Sequence, residues 1–253
     1  MKRSLFFLTI VALATPAFAA SPKDEVQGAA KKLGATSYSW KTTVENAAGG
    51  GGGGGRGRGG AFGTGPMEGK AAQDGTVMIT STRGDTTTEV ILRGEKGAVK
   101  TAEGWQSLAE LAAARRSGDA GGGARAGRGG GAGAYRNFKA PAAQIEDLVS
   151  KLKDLKSVDG AYAGELTEEG AKSFLTTGGG RGGGNAPTIT GAKGNAKFWV
   201  KDGIVSKYQY QIQGAVTGAN GNERQVDRTT IVEIKDAGAT KVEVPEEAKK
   251  KLS

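Results

Sequence analysis

The chain contains no cysteine and no histidine. Without histidine there is no imidazole to activate a serine or cysteine nucleophile, to act as a general base near neutral pH or to ligate a metal. Without cysteine there is no thiolate chemistry, no zinc knot and no disulfide. Catalysis would fall to carboxylates, lysine, tyrosine or serine, and no pattern of these below defines a reaction. Aromatics are scarce, at 6% of 253 residues. Long apolar runs are missing too. The longest, from Leu5 to Ala14, is about ten residues, where a membrane span needs roughly twenty. It follows Lys2 and Arg3 and precedes Ala17-Phe18-Ala19, with small residues at the two positions a signal peptidase inspects. Residues 1–19 therefore read as a secretory signal cleaved after Ala19, and the expected location is the periplasm or the exterior, with no transmembrane segment in the mature chain.

Glycine is the residue in excess, with 45 in the chain. It concentrates in GGGGGGGRGRGGAFGTG (residues 49–65) and in two looser echoes, giving expected insertions near 48–65, 116–135 and 177–187. Glycine at this density supplies no side chains for a core and loses the most backbone entropy on ordering, so these segments read as disordered loops inside one domain spanning residues 20–253. The formal net charge is +9, and +7 once Lys2 and Arg3 leave with the signal. Residues 49–65 carry +2, residues 115–136 carry +4 and residues 178–185 carry +1, which accounts for the whole excess. Arg56, Arg58, Arg125, Arg128 and Arg181 are the candidate polyanion contacts. Export directs them to anionic envelope polymers, and no nucleic acid is expected as a partner.

Between the insertions the pattern alternates. Ser21-Pro22 opens a helix that Gly34 closes. From Tyr38 the period becomes two, with Tyr38, Trp40, Thr42 and Val44 on one face. Thr76 to Thr82 and Thr86 to Arg93 form a hairpin around Arg83-Gly84-Asp85, with Val77 and Ile79 answering Val90 and Leu92. Ala98 to Thr101 is a short strand, and Trp105, Leu108, Leu111 and Ala112 recur at helical spacing. Pro141 opens a helix with Ile145, Leu148, Val149, Leu152 and Leu155 on one stripe. Ala161 to Leu166 is extended, and a short helix from Thr167 reaches Leu175. Ala196 to Lys201 and Ile204 to Val216 flank an Asp202-Gly203 hairpin turn. Gln225 to Lys235 returns with Arg228, Thr230, Val232 and Ile234 on one face, Lys241 to Val244 is a last strand, and Pro245 starts a terminal helix. Sequential hairpins with few crossover helices predict an α+β fold, an antiparallel meander with helices gathered on one face.

The ending, KFWVKDGIVSKYQYQIQG followed by RTTIVEIKDAGATKVEVPEEAKKKL, resembles the periplasmic lipoprotein-carrier superfamily, the LolA-like and LppX-like proteins; the likeness is carried mainly by residues 196–252. The resemblance implies a curved, open half-barrel sheet with helices on its concave face and an apolar cavity between them for acyl chains. It implies a non-enzymatic carrier of a lipid or lipoprotein, without cofactor or metal. Candidate lining residues are Trp40, Val90, Leu92, Trp199, Tyr208, Tyr210 and Ile212. Ordinary core packing is the competing reading of the same stripe. A structural or envelope-interaction protein, acting through its basic glycine-arginine loops, is the alternative function.

Catalytic motifs dissolve on inspection. Ser150 and Lys153 fit S-x-x-K, but the companion motifs of serine-lysine enzymes are absent and both residues lie on the polar side of the predicted helix. Gly63 to Ala71 approaches a phosphate loop with one residue too many and alanine at the magnesium-binding position. The pairs Glu146-Asp147, Glu168-Glu169 and Glu246-Glu247 sit near helix N-termini, where the helix dipole favours negative charge. No stretch has the alternating oxygen ligands of a calcium loop.

Overall fold

The structure, a computed structural model, describes residues 21–46, 66–83, 86–116, 135–176, 187–218 and 221–252. The expected signal sequence, Gly84-Asp85 and nearly all of the three glycine-arginine insertions lie outside the described residues. A helix α1 (Pro22–Gly34) precedes six strands: β1 (Tyr38–Asn46), β2 (Met67–Ala71), β3 (Thr76–Arg83), β4 (Thr86–Arg93), β5 (Lys96–Thr101) and β6 (Gly104–Ser107). Helices α2 (Leu108–Arg116) and α3 (Pro141–Ser150) lead to β7 (Lys156–Val158) and β8 (Ala161–Glu165). Then come α4 (Glu168–Thr176), β9 (Thr188–Lys201), β10 (Ile204–Thr217), β11 (Glu223–Lys235) and α5 (Glu246–Lys251).

All eleven strands join one antiparallel sheet in the order β6-β5-β4-β3-β2-β1-β11-β10-β9-β8-β7. Two meanders, β1 to β6 and β7 to β11, meet where β1 pairs with β11, and the outer strands β6 and β7 do not pair with each other. The sheet is open. Only the β1–β11 junction joins strands distant in sequence, for example Trp40 opposite Ile234.

Local chemistry explains most elements. Ser21 caps α1 by accepting from the Asp24 amide, Pro22 occupies the first turn, and Val26, Ala29, Ala30 and Leu33 bury one stripe. A capping box starts α2: Ser107 N donates to Glu110 Oε2 at 2.7 Å and Glu110 N donates to Ser107 Oγ at 3.1 Å. The expected Asp202-Gly203 turn has φ of 54° and 73°, the primed geometry that matches strand twist, and Asp159-Gly160 repeats it between β7 and β8.

One face of the sheet carries the main core. Val77, Ile79, Val90, Leu92, Trp40, Val232, Tyr208, Ile212 and Phe198 point to it, against Val26 and Leu33 of α1, Ile145, Leu148 and Val149 of α3, and Leu175 of α4. Residues at the alternate positions face the other way. There a charge ladder crosses the strands in register, Lys207 beside Glu233, Glu233 beside Lys41, Lys41 beside Glu68. Its ion pairs, Lys41–Glu68 at 3.5 Å and Lys207–Glu233 at 3.9 Å, are solvated and contribute at most about 1 kcal/mol each.

Several expectations are corrected. The helices are not all on one face: Ala248 of α5 packs with Ile91, Ala98 and Trp105 in a separate cluster, and Ile91 alternates with Val90 and Leu92 of the main core. Trp105 belongs to β6, opposite Lys100, so its spacing to Leu108 is not a helical period. Helix α3 stops at Ser150, short of Leu155, because the chain leaves to bond β8: Lys153 N donates to Glu165 O at 2.9 Å and Leu152 bridges Leu166. Leu152 remains buried without being helical. Residues 241–244 are not a strand, although Val244 packs under α5. Met67 to Ala71, read as the tail of a rejected phosphate loop, is β2, and Tyr135, assigned to the second insertion, is buried at 8%.

Candidate functional site

The expected lining residues are largely brought together. Trp40, Val90, Leu92, Tyr208, Tyr210 and Ile212 all belong to the main core. Their span is long, since β4 and β10 are five strand spacings apart in the sheet, about 24 Å at the usual interstrand distance. Trp199 does not join them. It alternates with the buried Phe198 and stands on the other face, with Lys197 Nζ 5.2 Å and Lys207 Nζ 5.3 Å from its ring centroid. Arg56, Arg58, Arg125, Arg128 and Arg181 lie outside the described residues.

The centre of the site is polar where pattern alone predicts only apolar contact. Tyr208, fully buried, donates its hydroxyl to Gln144 Oε1 at 2.5 Å, and Gln144 Nε2 donates to Tyr210 Oη at 3.2 Å. Two residues earlier in α3, the Ala142 amide donates to Tyr38 Oη at 3.3 Å. The N-cap position of α3, Ala140, offers no side-chain acceptor, so a tyrosine from β1 satisfies an amide that a local cap would otherwise take. Helix α3 is thus fastened to the sheet by three tyrosine hydroxyls. Burial pushes the Tyr38 phenol up to about 12, opposed by the Ala142 amide. Burial, with Tyr210 and Tyr38 nearby, holds Tyr208 well above the ordinary tyrosine range. These groups are neutral hydrogen-bonding groups at physiological pH.

The exposed end of α3 is clamped by charge. Burial alone would raise the Asp147 carboxyl, but Lys139 and Lys151, each 2.8 Å away, hold it below its usual value. Ser150 donates to the Asp147 carbonyl at 2.7 Å, and Lys153 pairs with Glu165 at 3.4 Å. The S-x-x-K pair is committed to separate partners, and Lys153 lies beyond the end of α3.

Among the described residues, open grooves occur on the solvated face of the sheet, away from α3. One of about 410 Å³ runs over Ser39, Lys41, Glu68, Lys70 and Lys235, and one of about 490 Å³ over Lys193, Gln213, Gln225 and Asp227. Neither is lined by Tyr208, Tyr210 or Ile212, whose surroundings are filled by helices. Among the described residues no group of three acidic side chains is placed to hold a metal, and no helix is long and apolar enough to cross a membrane. Gln144 and Tyr38 of this site, and Arg228, which lies on the same sheet face in β11 opposite Ile212, are residues that sequence reasoning did not single out. Arg228 had a signal, an arginine on the same alternation as Thr230 and Val232; Gln144 had none, because its partners are more than sixty residues away. No protein-family model and no curated protein matches the chain.

Proposed function

We propose that this is an exported, non-enzymatic carrier that holds a hydrophobic ligand, a lipid or the acyl chain of a lipoprotein, between the sheet and its helix layer. The observation that carries the reading is the roof itself. A broad apolar face of an open sheet is covered by short, separate helices, and α3 is fastened through hydrogen bonds to Tyr38, Tyr208 and Tyr210. These hydrogen bonds exchange for water with little net change, so the apolar contacts of Ile145, Leu148 and Val149 set the cost of lifting α3, and an acyl chain replaces them in kind. A roof of this kind lifts to admit an acyl chain and closes again without a ligand. The likeness of residues 196–252 to the lipoprotein carriers points the same way, and with it a curved sheet with α1 to α4 on its concave side.

The test is solvent extraction and mass spectrometry of the mature protein purified from its native envelope, with titration of a fluorescent fatty-acid analogue. Stoichiometric lipid and saturable binding are expected. A lipid-free protein that fails to bind the analogue overturns the reading.

A second reading rests on charge placement. The solvated sheet face is charge-matched across β10, β11, β1 and β2, while Arg56, Arg58, Arg125, Arg128 and Arg181 lie in the glycine-rich segments. Those segments would contact anionic envelope polymers. Replacing Arg56, Arg58, Arg125, Arg128 and Arg181 by glutamine should then abolish salt-sensitive binding to anionic vesicles, and unchanged binding overturns it.

A further inference from the structure

Arg228 is out of place in the face it occupies. On β11 it lies between Ile212 of β10 and Asn46 of β1, and it shares the helix-side face with Thr230 and Val232, both buried. The residue is partly buried, and its Nε is the one buried side-chain nitrogen or oxygen among the described residues without a hydrogen-bond partner. None of the ion pairs among the described residues involves its guanidinium. The adjacent carboxylate, Asp227, projects to the opposite face and is engaged there, accepting from Gln211 Nε2 at 2.8 Å and Gln213 Nε2 at 2.9 Å.

A buried N–H donor without a partner carries the cost of its lost hydration. An arginine cannot shed that donor by losing a proton, because the guanidinium stays charged throughout the accessible range. The cost is therefore retained unless an anion fills the position, and a fork of N–H donors is shaped for a group with two acceptor oxygens. The surroundings are apolar: Ile212 is fully buried beside it, and Val216 and Val226 pack on the same core.

We infer that Arg228 anchors the anionic head group of an amphiphile, a carboxylate or phosphate, whose chain lies along the helix side of the sheet. The inference rests on the carrier reading and adds the charge of the ligand to it. Nε and one Nη donate to two head-group oxygens, and the chain leaves along Ile212 towards Tyr210.

The mature protein, loaded with the neutral probe N-phenyl-1-naphthylamine, is titrated with dodecanoate, dodecyl phosphate and dodecanol. The two anions are expected to displace the probe at concentrations about tenfold or more below dodecanol, as one charge-assisted bidentate contact provides; their order separates carboxylate from phosphate. Arg228→Gln should erase that preference and leave the dodecanol curve unchanged, while Arg228→Lys, which keeps charge and loses the fork, retains part of it. The ligand-free Arg228→Gln protein should melt at or above the wild-type temperature, because it sheds an unsatisfied buried donor. Equal displacement by all three compounds in the wild type, a preference that survives Arg228→Gln, or a lowered melting temperature of that variant overturns the assignment while leaving the carrier reading standing. Failure of the probe and all three compounds to bind overturns both.

Discussion

Replacing Gly69 by alanine adds one methyl group at a buried position of β2, and the structure predicts a large penalty. Gly69 lies opposite Trp40 on one side and Ile79 on the other. The indole of Trp40 covers the glycine: a Cβ built there would stand 2.1 Å from Cζ2, 2.3 Å from Cη2 and 2.6 Å from Cε2 of Trp40. Ordinary carbon contacts are about 3.5–4 Å, so the ring must retreat by about 1.5 Å. Its retreat is obstructed by Phe138, stacked at 6.2 Å between centroids, and by Tyr38 at 5.9 Å. If the neighbours yield, overpacking costs about 1–3 kcal/mol. If the indole is expelled, burial of about 150–250 Å² at about 25 cal/mol per Å² is forfeited, about 4–6 kcal/mol. The expected loss is about 3–5 kcal/mol, a large share of a typical domain's stability. Urea unfolding followed by circular dichroism measures it. Trp40→Leu in the Gly69→Ala background should recover at least about 2 kcal/mol relative to additivity, since it removes the atoms in conflict. Stability of Gly69→Ala within about 1 kcal/mol of wild type, or strict additivity in the double variant, would refute the reasoning.

Gln144→Ala leaves the buried Tyr208 hydroxyl without its acceptor and should cost about 1–3 kcal/mol; adding Tyr208→Phe should recover part of that, and a double-mutant cycle with no coupling energy would contradict the fastening. Raised tyrosine pKa values make stability fall at high pH: Tyr38, at about 12 in the fold against about 10 unfolded, contributes stability fully present below pH 10 and lost by pH 12, up to about 2.7 kcal/mol. Urea midpoints between pH 8 and pH 12 should decline above pH 10, with a shallower decline in Tyr38→Phe, and should be flat from pH 7 to 9 as far as side chains are concerned, because the chain has neither histidine nor cysteine. The same lack of cysteine makes an engineered bridge clean. A Cβ at Gly34 would lie 3.4 Å from that of Ala142, near the lower end of disulfide geometry. Oxidised Gly34→Cys/Ala142→Cys should gain up to about 4.8 kcal/mol by the loop-entropy relation for a loop of about 109 residues, read as a difference in urea midpoint with and without reductant, and no gain would place α1 and α3 differently.

Elements whose causes are local were legible. The Ser21-Pro22 start of α1, the alternation of β1, the pairing of Val77 and Ile79 with Leu92 and Val90, and the Asp202-Gly203 turn appear as expected. Failures cluster where a distant partner overrides a local pattern. The apolar period through Leu155 continues past the end of α3, because Leu152 finds Leu166. Trp105 pairs as a strand residue and packs beneath α5, on the face away from Leu108. Strand β2 was hidden because Gly69, poor as a strand former, is required there by an indole from β1.

Composition and alternation by themselves excluded thiol and imidazole chemistry, and determined the concentration of basic excess around three glycine-rich segments and a strand-rich architecture with apolar and polar faces. These follow from side-chain inventory and a period of two, which need no knowledge of what lies across the sheet. Tertiary structure alone decided that β1 closes the two meanders against β11, that α3 is fastened through Gln144 to Tyr208 and Tyr210, that Trp199 stands apart from the other aromatics, and that Arg228 has no counter-charge among the described residues. Each depends on which residues meet across separations of tens to nearly two hundred positions. A pairing over such distance is selected by the free energy of the whole core, so no local pattern records it.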